Sequence, residues 1–132
     1  MKVTPDTNVL VRALVNDDEQ QSKAAQAALA DAAEIALAIP ALCELVWVLS
    51  QGYKISAMRI AEKIRAMANS RNVSVNRAAV ELGLAVLEAG GDFADGVIAY
   101  EGSWLGAEAF ISFDRKAVKL LDSKGHAAHL LQ

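Results

Sequence analysis

Ile35-Ala36-Leu37-Ala38-Ile39-Pro40-Ala41-Leu42-Cys43-Glu44-Leu45-Val46-Trp47-Val48-Leu49-Ser50 is the stretch that decides the fold class. Residues 35–39 form an uninterrupted apolar run of strand length, the kind covered on both faces in a parallel sheet. Pro40 then suits the start of a helix, where a missing N–H leaves no hydrogen bond unmade. Residues 41–50 are apolar on every side except at Glu44, which predicts a buried helix closed by Gly52. A strand running straight into a helix is half of a βαβ unit, and the same alternation extends in both directions along the chain.

Upstream, residues 2–4 read as a short first strand, stopped by Pro5 and for that reason ending early or lying at a sheet edge. Val9, Leu10 and Leu14 fit a helix beginning near Thr7, with Asp6 at the junction, and residues 19–33 are rich in the helix formers Ala and Gln. Downstream, Ser56 is a good N-cap for a helix over 57–68, and residues 73–75 read as a brief strand. Asn76 caps a helix through Leu82, Val86 and Leu87 that Gly90-Gly91 ends, and a further helix runs from Asp92 to about Leu105. Residues 109–112 form a strand, 115–121 a helical turn or two, and 127–130 a last strand. This order predicts an α/β domain whose short, mostly parallel central sheet is covered on both faces, with ligands bound outside the carboxyl ends of the strands.

The chain of 132 residues is expected to be one domain over residues 1–132, with its active site built into that single fold. One cysteine, Cys43, excludes an internal disulfide framework and a cysteine-rich zinc site, and suits a reducing compartment such as the cytoplasm. The start of the chain lacks the pattern of a signal peptide, and no apolar run is long enough to span a membrane. Thirteen basic against sixteen acidic residues leave a net charge of −3, so a general cationic coat for nucleic acid is excluded. Carboxylates converging on divalent cations would reverse that field locally.

Four acids stand at corresponding places: Asp6 after the first strand, Glu44 after the second, Asp95 early in a helix and Asp114 after a late strand. Each also has a purely structural reading. Asp6 and Asp114 can cap the helices that follow them, Asp92 and Asp95 form a capping pair three residues apart, and Glu44 can complement a helix dipole. A Glu among Leu42, Cys43, Leu45, Val46 and Trp47 would be costly to keep ionised if buried, unless a cation offset it. The coincidence of four such acids points to chemistry. Carboxylate oxygens without His or Cys ligands suit Mg²⁺ or Mn²⁺, and such sites hydrolyse phosphodiesters.

The runs Asp6-Thr7-Asn8-Val9-Leu10-Val11-Arg12, Cys43-Glu44-Leu45, Gly91-Asp92-Phe93-Ala94-Asp95-Gly96-Val97-Ile98-Ala99 and Ser112-Phe113-Asp114-Arg115-Lys116-Ala117 resemble, in order, the acidic motifs of PIN domains. More narrowly they resemble the VapC toxins of prokaryotic toxin–antitoxin pairs. The resemblance implies a three-layer α/β/α PIN-like fold and a Mg²⁺- or Mn²⁺-dependent endoribonuclease. It also implies a homodimer silenced by a VapB-type antitoxin. Asp6, Glu44, Asp95 and Asp114 match the acidic metal-binding positions, with Asp92 as an addition, and Asn8 and Ser112 match polar positions beside them. Arg12, Arg115 and Lys116 are candidate phosphate contacts. The chain departs from the pattern at Thr4-Pro5 and at Gly96, where Ala is commoner and Gly would loosen the helix. Two rival functions are a catalytically idle PIN-like binding module and a PIN nuclease acting on DNA or flap substrates.

His126 and His129 lack a further ligand for a metal, and Cys43 lacks a neighbouring base, so both read as structural. Trp47 is expected to pack in the core, and Trp104 to meet a partner.

Overall fold

The computed structural model describes all of residues 1–132. The chain divides into two compact units, Met1–Val75 and Asn76–Gln132. No helix is long and apolar enough to cross a membrane.

The first unit runs β1 (Lys2–Val3), α1 (Thr7–Leu14), α2 (Glu19–Asp31), β2 (Glu34–Ala36), α3 (Ile39–Trp47), a π-helical segment (Val48–Gly52), α4 (Ala57–Ala68) and β3 (Val73–Ser74). Its sheet has the order β1-β2-β3, wholly parallel, with Val3 opposite Ile35 and Ile35 opposite Val73. β1 ends at Val3, two residues before Pro5, and lies at an edge of this sheet. Lys2 Nζ lies 3.5 Å from Glu34 Oε2, and Ser74 Oγ donates to Glu34 Oε1, so one carboxylate ties all three strands together. Those two partners, Ser74 first, hold the Glu34 carboxyl below its ordinary pKa.

Two expectations for the deciding stretch need correction. β2 covers three residues instead of five, because Ile39 already belongs to α3 and Pro40 takes the second helical position. Glu44 is thereby moved out of the first turn, so it does not serve the helix dipole. Nor is α3 buried all round. Leu42, Leu45, Val46 and Leu49 fall on one stripe at i, i+3, i+4 and i+7 and are at most 5% exposed. Glu44 and Trp47 lie on the opposite side, Glu44 exposed and Trp47 68% exposed, so Trp47 is no core residue. An apolar composition does not by itself cover both faces of a helix.

The second unit runs α5 (Arg77–Glu88), α6 (Phe93–Trp104), β4 (Phe110–Ser112), α7 (Arg115–Ser123) and β5 (Ala128–Leu130). β4 and β5 form a separate parallel pair, with Ile111 opposite His129. Val86, Ala99 and Leu121 are buried together under Leu82, Phe110, Leu120 and Ala128. α7 extends to Ser123, two residues past the expected end. Its start is capped twice by Asp114, and it stops where Gly125 takes a φ of 85° and His126 N–H returns to Leu121 O at 3.0 Å. Gly96, read from sequence as a loosening substitution, is instead a packing requirement. A β-carbon there would stand 2.7 Å from Gly83 Cα and 2.8 Å from Leu82 O, so α5 and α6 touch backbone to backbone.

Candidate active site

Three of the candidate acids begin helices, and the local reason is the same each time. An unpaired N–H at the first turn needs an acceptor, and an aspartate on the preceding extended residue supplies one. Asp6 Oδ1 accepts from Val9 N at 3.0 Å to start α1. Asp92 Oδ1 accepts from Ala94 N at 3.1 Å to start α6. Asp114 Oδ1 accepts from both Lys116 N at 3.0 Å and Ala117 N at 3.2 Å to start α7. Each cap uses one oxygen and fixes the direction of the carboxylate.

Asp95 behaves differently. It is the third residue of α6, its backbone N–H donates to Asp92 O at 3.1 Å, and its carboxylate accepts no hydrogen bond from the protein. It is half-buried. Desolvation, then the charges of Asp92 and Asp114, raise its pKa above the ordinary carboxylate value. The second unit thus brings Asp95 within electrostatic reach of both Asp92 and Asp114, and Asp95 is the one of the three whose carboxylate lacks a donor.

Asp6 and Glu44 belong to the first unit, both exposed, Glu44 in the middle of α3. Within neither unit do three His, Cys, Asp or Glu side chains converge closely enough to hold a metal ion unaided. The donor chemistry nevertheless fits a hard divalent cation. The second unit offers carboxylate oxygens and an unneutralised Asp95, and Mg²⁺ commonly takes one or two protein carboxylates, filling its other positions with water and substrate phosphate.

Ser112 lies on β4, and its Oγ accepts from Asp114 N at 2.9 Å, which holds the backbone that carries the Asp114 carboxylate. Asn8 is exposed on α1 and makes no hydrogen bond through its side chain. Arg115 is exposed, while Lys116 lies over the glycine turn before Asp92: its Nζ would stand 3.3 Å from a β-carbon at Gly90. Arg12 is already engaged. Its Nη1 is 2.7 Å from Asp17 Oδ1, and Tyr53 OH donates to Asp17 Oδ2 at 2.7 Å. The Asp17 hydrogen bond is the first cause that raises the Arg12 pKa, and the Tyr53 hydrogen bond is the first cause that lowers that of Asp17. Sequence reading missed Asp17 and Tyr53. Nothing local pairs two residues 36 positions apart, and Asp17 reads as one more acid in a loop.

His129 is exposed on β5 and His126 is half-buried, and neither joins a metal-binding group. Cys43 is half-buried on α3. Trp104 is 77% exposed at the end of α6.

Comparison with curated proteins and with solved structures gives no match. The PIN domain family matches residues 3–122, a span that takes in all of the candidate acids. PIN domains are typically divalent-metal-dependent nucleases, so the match supports a hydrolase acting on nucleic acid. With the match extending over most of its length, the chain belongs to the PIN domain family.

Proposed function

We propose that this PIN domain is a Mg²⁺- or Mn²⁺-dependent endoribonuclease, the toxin of a type II toxin–antitoxin pair, held silent by a VapB-type antitoxin and acting as a homodimer in the cytoplasm. Asp6, Glu44, Asp95 and Asp114 would hold the cation, with Asp92 beside them. The observation that carries this reading is Asp95: a half-buried carboxylate with no protein donor, set beside two more negative charges. A bound cation would offset both the desolvation and the repulsion at this group. When bound, a divalent cation supplies Lewis-acid stabilisation of phosphodiester charge and acidifies water.

The chain's own residues orient that chemistry. The caps at Asp6, Asp92 and Asp114 leave a second oxygen of fixed direction on each side chain. Ser112 steadies the Asp114 backbone, a support of the kind on which ligand affinity depends. Arg115 and Lys116, directly after Asp114, are placed to meet a phosphate entering near that acid. Arg12, the third candidate for a phosphate contact, would make that contact from a guanidinium whose Nη1 is also paired with Asp17.

The test is cleavage of a mixed pool of structured and unstructured RNAs by antitoxin-free protein, with Mg²⁺ or Mn²⁺, with EDTA, and with Asp6→Asn and Asp95→Asn in parallel. Discrete cuts that vanish with EDTA and in both variants are expected. Full cleavage by either variant would overturn the residue assignment. A folded protein that binds Mn²⁺ yet cuts nothing would favour an idle binding module.

A further inference from the structure

The C-terminal end of α6 carries Tyr100, Glu101 and Trp104, which with the C-cap Leu105 and with Asn76 line a concavity of about 250 Å³ lying wholly within the second unit. Tyr100 and Trp104 are one helical turn apart and so share a face of α6. Trp104 and Leu105 are 77% and 80% exposed, an unusual outlay of apolar surface at one helix end. Glu101 is exposed and has no ion-pair partner. The last turn of α6 contains no basic residue, so the helix does not itself compensate the negative end of its dipole. No Lys or Arg lines the concavity.

We propose that this concavity is a docking site for an arginine side chain of a peptide partner. Tyr100, Trp104 and Glu101 of the lining favour a planar cation. Indole and phenol faces attract a guanidinium through their ring quadrupoles, the Glu101 carboxylate can pair with it, and the helix end adds a further negative partial charge. The choice of arginine over lysine follows from the aromatic faces, on which a flat, weakly hydrated guanidinium stacks better than an ammonium. A nucleobase could stack on Trp104, but the phosphate it brings would meet Glu101 and the helix dipole with no basic residue in the lining to receive it. The site is separate from the acids of the candidate active site and does not depend on nuclease activity.

Trp47 and Trp104 are the only tryptophans, so in the full chain carrying Trp47→Phe the emission reports Trp104 alone. Titration with the tripeptide Gly-Arg-Gly is expected to change that emission saturably in the millimolar range. Both Glu101→Gln and replacement of arginine by its uncharged isostere citrulline should weaken binding by about fivefold or more. Absence of saturation, or equal affinity for the citrulline peptide or in the Glu101→Gln chain, would overturn the proposal. Oligouridylate binding at Trp104 in competition with the peptide would overturn it in favour of a nucleic-acid contact. An emission change on raising protein concentration alone would overturn it in favour of self-association. Circular dichroism of both variants checks the fold, which the exposed positions 47 and 101 are not needed to maintain.

Discussion

Gly96 of α6 lies directly against Gly83 of α5, with no side chain between the two backbones; a β-carbon on Gly96 would stand 2.7 Å from Gly83 Cα. Asp95 immediately precedes Gly96 on α6, so this contact also sets how closely its carboxylate is drawn toward the body of the second unit. Gly96→Ala is expected to destabilise the protein by about 1–3 kcal/mol, because the overlap is with backbone and cannot be relieved by a rotamer change. That loss should outweigh the gain of up to ~1 kcal/mol from alanine's better helix propensity. Urea unfolding checks it, and an unchanged midpoint would mean that α5 and α6 can part freely.

Asp95→Asn should separate function from folding. Removing a charge that is partly desolvated and repelled by Asp92 and Asp114 leaves the metal-free protein at least as stable as the parent. Mn²⁺ should raise the melting temperature of the parent and much less that of the variant, since only a ligand that binds the native state stabilises it. Equal Mn²⁺ shifts in both proteins would remove Asp95 from the metal site.

The caps make a second distinction. Asp114→Ala removes the acceptor for two N–H groups and is expected to cost about 1 kcal/mol, whereas Asp114→Asn keeps a competent cap and should cost little. Both should lose cleavage. Thermal melts beside an activity assay show whether the loss of activity follows charge or fold.

Asp17 gives a pH dependence of definite sign. Its pKa is lowered in the folded state by Tyr53 first and by Arg12 as well. Its contribution is therefore present above the unfolded value of about 3.9 and is lost as pH falls through the lower folded value. Tyr53→Phe brings the folded pKa back toward the unfolded one, so the acid limb of a stability-versus-pH curve should be shallower than in the parent. Asp17→Asn should be shallower again, and a steeper limb in either variant would contradict the network.

Much of this architecture is legible in the residues because its signals are local. Ser56 and Asn76 announce the starts of α4 and α5, and Asp92 and Asp114 those of α6 and α7. What escapes local reading is what depends on partners far along the chain. The stripe of Leu42, Leu45, Val46 and Leu49 is visible in the sequence, yet the open side at Glu44 and Trp47 is set by what packs against α3. Gly96 looks like a blemish until Gly83 is found beside it. Among the acids, the caps could be read directly, while the isolation of Asp95 from any donor needed three dimensions.

Because Asp6, Asp92 and Asp114 all serve as helix caps, the fold has its own reason to keep them. A copy of this gene released from any enzymatic duty would still be selected to retain an aspartate or an equivalent cap at those three positions, and would look intact to a reader counting acids. Glu44 and Asp95 cap nothing, and in such a copy they would be free to drift. The diagnostic of a living nuclease in this scaffold is therefore the pair of carboxylates that folding does not need.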